Sequence, residues 1–274
     1  MTILVETVRF EMLAAVMVTQ VKEIIYILDR TALGAIAPYP LYYPCSGNDH
    51  LDAIRLFSPD VKTFYFVDIH YFGARDPADK VRPILEGLPE YELQGVDLDE
   101  GQPPSAEFER VIDERTGKSY RRIEPFTRSE RYVHRPSDQE IVIHRRRGDG
   151  ERSLKLVKDL GIFYYRGDSS EGSAARWLTV NTKKHKLRRR FPIDEVLDRI
   201  VDNGLIVTDG SSCEYGEYLE FKRLSSFRAE EVSEAIQEAN SFTDCRGFSY
   251  RCIGYAGHRY GPTLIWQVKR PSPP

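Results

Sequence analysis

The chain has 274 residues, 41% of them hydrophobic and 30% charged, with a formal net charge of -3. That apolar content fills one sizeable core or two small ones and excludes a disordered chain. The charge balance excludes a global basic field that would recruit nucleic acid, so partners have to be argued from local patches.

The first apolar stretch, LAAVMVTQVKEIIYIL from Leu13 to Leu28, is interrupted by Gln20, Lys22 and Glu23. The interruption comes too soon for a membrane span of roughly 20 apolar residues. The stretch also lacks the basic start and small-residue cleavage site of a signal peptide, so a cytoplasmic location without membrane contact is expected. Val18, Val21, Ile25 and Leu28 recur at steps of three and four and predict an amphipathic helix. Residues 1–39 therefore read as an N-terminal helical segment packed ahead of a main domain over 40–274. A lid or a dimerisation helix is the alternative reading.

From Pro40 the pattern becomes regular. Leu41 to Tyr43 reads as a strand that meets Pro44 and the turn CSGND, and HLDAIRLF from His50 to Phe57 has helical spacing. SPDVK breaks the chain before FYFVDI, Phe64 to Ile69, whose aromatic and β-branched residues suit a strand buried on both faces. These pieces make a βαβ unit. Ala78 to Leu88 reads as a helix kinked or ended by Pro83, and Tyr91 to Asp97 as a third strand. Between about 106 and 150, FERVIDE and SYRRIEPF flank RTGK, and RYVHR and EIVIHRRR flank PSDQ. Two β-hairpins are predicted there, as an antiparallel insertion.

Ser153 to Leu160 reads as a helix and Gly161 to Ser169 as a fourth core strand. Phe191 to Gly204 has helical spacing with Gly204 placed as a C-cap, before the strand Leu205 to Ser212. A last helix, Ala229 to Ala239, leads to FSYRCIGY and TLIWQVKR, which the short loop AGHRYGP makes antiparallel neighbours. Each predicted parallel strand finishes in a polar cluster: CSGND, VDI, VDLDE, RGDSSEGS or TDGSS. Ligands of open α/β sheets bind outside the carboxyl ends of strands. Asp49, Asp68, Asp97, Asp168 and Asp209 are therefore expected around one crevice.

This series resembles the class I S-adenosylmethionine-dependent methyltransferases over roughly Leu41 to Arg270. The resemblance implies a Rossmann-like three-layer α/β sandwich, with a mostly parallel seven-stranded sheet and a C-terminal antiparallel hairpin. It implies S-adenosylmethionine as cofactor, with Cys45, Ser46 and Gly47 in the loop after the first strand, Asp49 following, and Asp68 at the ribose. A carboxylate suits that place because it accepts from two vicinal hydroxyls at once. Asp97 would lie near the adenine. Asp168 would orient or deprotonate the acceptor, with Arg166, Ser169 and Asp209 as substrate contacts. The sequence departs from the family in its first loop, which has one glycine and no acidic start, and in having no Asn-Pro-Pro-Tyr element.

The acceptor is expected to be a small molecule. Nucleic acid is the other candidate, through the basic runs at 144–152 and 183–190, although aromatics for base stacking are not interleaved with them. Cys45, Cys213, Cys245 and Cys252 lack CxxC spacing and read as reduced thiols, and the six histidines lack ligand spacing, so no metal is expected. Cys213 is a possible nucleophile with no histidine assigned to it. His70 reads as structural. The competing function is a non-catalytic Rossmann-like module that binds a nucleotide or a protein with a degenerate cofactor loop.

Overall fold

The structure is a computed structural model that describes residues 4–8, 24–28, 30–47, 50–72, 82–98, 109–112, 117, 119–122, 125–165, 192–209, 241–244, 246–256 and 263–271. It is a mixed α/β protein with few helices among these residues. Two compact units divide the chain: Ala37–Tyr164 forms one, and Met1–Ile36 with Tyr165–Pro274 the other.

At the N-terminus, β1 (Leu4–Val8) and β2 (Ile24–Leu28) pair antiparallel, with Leu4 opposite Leu28 and Val8 opposite Ile24. The end of the expected amphipathic helix is thus a strand, and residues 9–23 lie outside the described ones. IIYIL consists of β-branched, aromatic and leucine side chains that suit a ladder. Over five such residues periodicity alone does not separate helix from strand.

The unit Ala37–Tyr164 contains β3 (Leu41–Pro44), α1 (His50–Phe57), β4 (Thr63–Asp68), β5 (Tyr91–Leu98), β6 (Glu109–Ile112), β7 (Ser119–Arg122), β8 (Phe126–His134), β9 (Gln139–Arg147), α2 (Gly150–Leu154) and β10 (Leu160–Tyr165). Its main sheet runs β10-β3-β4-β9-β8-β5, and β6 and β7 form a separate antiparallel pair. β10, β3, β4 and β9 are mutually parallel, whereas β9 with β8 and β8 with β5 are antiparallel. Counted along the chain, the parallel strands therefore lie in the order 3-2-1-4.

This order corrects two expectations. The third parallel strand is β9, which the sequence assigned to an inserted hairpin; one edge does pair with β8, but the other is joined to β4 from Thr63 opposite Val142 to Asp68 opposite Arg147. Alternation in EIVIHRRR resembled a half-exposed strand because its core face ends in charge. Ile141, Ile143, Arg145 and Arg147 are all buried. Tyr91 to Asp97, expected as the third core strand, is instead the antiparallel edge strand β5, exposed along most of its length. The helix expected over Ala78 to Leu88 is also absent from its described part, since residues 82–90 are turns and irregular backbone around Pro83.

Neighbouring residues on β3 face opposite sides of the sheet, as the strand period requires. The Tyr43 ring lies tilted against Tyr164 at 4.7 Å and meets Phe66 edge-on at 6.2 Å, and α1 covers this face through Phe57 on Tyr164 and His50 on Phe66. On the other face the Tyr42 hydroxyl donates to the Gly150 carbonyl at 2.6 Å, holding α2. Helices on both faces explain why every residue of β3 and β10 is buried. The helix expected over Ser153 to Leu160 is corrected: α2 shares only Ser153 and Leu154 with it, residues 155–159 are turns and irregular backbone, and Leu160 opens β10; Asp149 caps α2 by accepting from the Arg152 N–H at 2.9 Å.

The second unit continues with α3 (Pro192–Arg199), β11 (Ile200–Asp209), β12 (Ser241–Thr243), β13 (Ser249–Ala256) and β14 (Thr263–Lys269). Its strands run β1-β2-β13-β14-β11, with β12 beside β13, and the pairings are antiparallel. The final hairpin β13-β14 is thus as the sequence predicts. Gly204 is not a helix cap: α3 ends at Arg199, the β-branched Ile200 and Val201 open β11, and Gly204 sits in the ladder opposite Val268. The helix expected over Ala229 to Ala239 lies outside the described residues.

Candidate functional site

In the order 3-2-1-4 the chain leaves β3 toward β4 and β9 and later returns to its other side at β10. The carboxyl ends flanking such a reversal are where open α/β sheets hold ligands. Two described segments meet there: Cys45, Ser46 and Gly47 after β3, and Asp68 to Phe72 at the end of β4.

The contact between them is specific. Asp68 Oδ2 accepts from the Gly47 N–H at 3.1 Å, and Oδ1 accepts from the His70 N–H at 2.7 Å. The Asp68 carbonyl accepts from the Gly148 N–H at 3.2 Å, which brings the end of β9 against the same point. The Ser46 N–H is donated to the Val67 carbonyl at 3.3 Å. Tyr71 donates its hydroxyl to the Gly47 carbonyl at 2.8 Å and lies 2.6 Å from the Ser46 hydroxyl. Cys45 and Gly47 both have left-handed backbone, with φ of 56° and 48°. A β-carbon at Gly47 would meet nothing within 4 Å, so the glycine borders open space as well as a turn.

These bonds limit what the loop offers. A phosphate cradle needs free backbone N–H groups. Those of Ser46 and Gly47 are already donated to Val67 and Asp68. The Asp68 carboxylate is half-buried and, with about four lone-pair sites and two donors bound, retains capacity for hydroxyl donors. Among the described residues the loop thus offers a neutral polyol such as ribose the Asp68 carboxylate, and offers a pyrophosphate no free N–H from Ser46 or Gly47.

The α1 face of the sheet near this end is strongly cationic. Arg145 neighbours Phe66 in the ladder and Arg147 neighbours Asp68; both arginines are buried. The counter-charge of Arg145 on β8 is Glu130, fully buried, whose Oε1 meets Arg128 Nε at 2.8 Å and Arg145 Nη2 at 2.9 Å. Glu130 Oε2 accepts from the Ile84 N–H at 2.7 Å and from the Tyr132 hydroxyl. Burial, and next the nearby Arg145 guanidinium, lower the His50 imidazole to about 4, so it is neutral at pH 7; a hydrogen bond to the Gly47 backbone pulls the other way. Among the described residues its buried Nδ1 has no hydrogen-bond partner.

The structure therefore joins Ser46, Gly47 and Asp68 and keeps Cys45 beside them, exposed. It moves Asp97 away: on β5 the side chain is exposed and pairs with Arg131 at 3.0 Å. The third parallel strand ends instead at Arg147, followed by Gly148 and Asp149. Asp209 ends β11 opposite Thr263, in the other unit. Asp49, Arg166, Asp168 and Ser169 lie outside the described residues, as does the basic run at 183–190. The run at 144–152 is not a continuous basic surface, because Arg145 and Arg147 face the core. Among the described cysteines, Cys45 and Cys252 are free thiols, and burial pushes Cys252 up to about 12. No described helix is long and apolar enough to cross a membrane, and no three described His, Cys, Asp or Glu side chains group as metal ligands. Tyr71 and the hub at Glu130 were missed in the sequence. Tyr71 stands three residues after Asp68, a spacing that gave a signal only once β4 was known to end at Asp68.

No family model and no curated protein matches the chain. Among solved structures it is similar to a precorrin-6y C5,15-methyltransferase from Geobacter metallireducens GS-15, with 8% identity and a TM-score of 0.33 over 88% of each chain. A likeness of that degree fixes neither fold nor chemistry.

Proposed function

We propose that this chain is an S-adenosylmethionine-dependent, methyltransferase-like protein whose Rossmann-like unit holds the cofactor nucleoside at the carboxyl ends of β3, β4 and β9. The observation that carries the reading is the Asp68 carboxylate, which ends the second strand of a parallel 3-2-1-4 sheet and is bonded to the single glycine of the first loop. Committed N–H groups at Ser46 and Gly47 favour a phosphate-free nucleoside over a dinucleotide.

In this reading Asp68 takes the ribose hydroxyls, while Cys45, Ser46, Gly47 and Asp49 border the cofactor. Asp149 takes the place at the adenine that the sequence had given to Asp97. When bound, the cofactor supplies an electrophilic methyl group. The protein's part is to align an acceptor with it. A small-molecule acceptor is favoured over nucleic acid because the run at 144–152 turns two of its arginines inward.

Calorimetric titration with S-adenosylmethionine and S-adenosylhomocysteine tests the reading. Micromolar binding is expected, and Asp68→Ala is expected to weaken it about tenfold to a hundredfold, the size of one or two hydrogen bonds to a charged acceptor. Absence of heat and of any thermal shift at millimolar ligand would overturn it.

A further inference from the structure

We infer that Tyr71 is a positioning residue that sets the ligand loop after β3, replacing by hydrogen bonds the conformational freedom that additional glycines would give. The loop has to adopt left-handed backbone at Cys45 as well as at Gly47. For a residue with a β-carbon that conformation is disfavoured, because the β-carbon crowds the following carbonyl oxygen. Local preference therefore works against the loop, and tertiary bonds have to hold it.

Tyr71 is buried, as is Ser46. A phenol carries one proton, and here it goes to the Gly47 carbonyl, so the Ser46 hydroxyl is the donor in its contact with the Tyr71 oxygen. One side chain thus clamps two successive loop residues. It does so beside the Gly47 N–H to Asp68 bond, the contact that aims the proposed ribose-binding carboxylate. Removing the phenolic oxygen leaves the Gly47 carbonyl without this donor and the Ser46 hydroxyl without its buried acceptor. The loop then relaxes toward right-handed or extended backbone, and the Gly47 to Asp68 contact opens.

The loop-setting role stands on the contacts themselves; its effect on affinity rests on the proposed nucleoside reading. The test compares Tyr71→Phe with Tyr91→Phe. Tyr91 also donates a buried hydroxyl, to Ser58 at 3.3 Å, but does so from β5. In the protein without ligand, amide hydrogen exchange at Ser46 and Gly47 is expected to quicken about fivefold to tenfold in Tyr71→Phe and to stay within twofold in Tyr91→Phe. Ser46→Ala should produce the smaller part of the same change. Affinity for S-adenosylhomocysteine is expected to fall by a similar factor in Tyr71→Phe alone. Unchanged exchange in Tyr71→Phe, or an equal change in both tyrosine variants, overturns the inference. If the unsubstituted protein fails to bind S-adenosylhomocysteine, the nucleoside reading fails while the exchange comparison still decides the role of Tyr71.

Discussion

Asp68 and Glu130 are carboxylates on one sheet, two strands apart, and they are used in opposite ways. Glu130 has no solvent exposure and is held by two arginines, a tyrosine hydroxyl and a backbone N–H. Asp68 is half-buried and held by two backbone N–H groups from separate turns. A carboxylate surrounded by fixed cations is part of the frame, because displacing any partner strands a buried charge. One ordered by neutral donors at the edge of the crevice keeps lone pairs for an incoming hydroxyl. The difference separates structure from candidate function more clearly than charge or burial alone.

The largest effect that would sharpen this contrast is expected from Glu130→Ala. It leaves Arg128 and Arg145 as buried cations without their shared anion, and unfolding in urea should show a loss of about 3–5 kcal/mol. Full stability in this variant would mean that water already reaches the arginines and that the frame reading of Glu130 is wrong.

His50 comes next, because it sits between the two regions. Its folded value, about 4, lies below the ordinary 6.5, so the unfolded chain binds the extra proton first as pH falls. Its contribution is complete above 6.5 and is lost progressively between 6.5 and 4, by up to about 3 kcal/mol. Comparing pH-dependent urea unfolding of the unsubstituted protein with His50→Gln isolates this contribution from the carboxylates that titrate over the same range. Identical acid limbs would show that His50 protonates freely in the folded state.

Asp68→Ala should cost less stability, about 1–2 kcal/mol, since solvent can partly replace the carboxylate at the Gly47 and His70 N–H groups. Its effect on ligand affinity should equal or exceed that. A stability loss comparable to Glu130→Ala, measured in the same urea series, would move Asp68 into the frame.

The smallest effect is expected at Asp97. Its pair with Arg131 is exposed, so Asp97→Asn should change stability by no more than about 0.5 kcal/mol and leave S-adenosylhomocysteine titration unaltered. Weakened binding there would restore Asp97 to the site at the expense of Asp149.

Much of the site's first half was legible in the chain. Leu41 to Phe57 and Thr63 to Asp68 carry their own βαβ pattern, and Asp68 stands where an apolar run stops. The final hairpin was also readable, from two alternating runs and a short loop. The third parallel strand was hidden because Arg145 and Arg147 occupy its buried face, and pattern reading equates arginine with solvent. Tyr91 to Leu98 misled in the other direction. Its place after the βαβ unit suggested a third core strand, yet it lies at an edge.

By itself the sequence determined which short segments prefer extended or helical backbone, and that acidic residues terminate several of them, because those properties reside in neighbouring side chains. Only the tertiary structure decided which strands lie side by side. That choice made Asp68 a partner of Gly47 and Arg147, gave Tyr71 its loop, and sent Asp97 to a solvent-exposed edge. Ladder pairing joins residues tens of positions apart, and its energy depends on which faces become buried together. No local pattern contains that information.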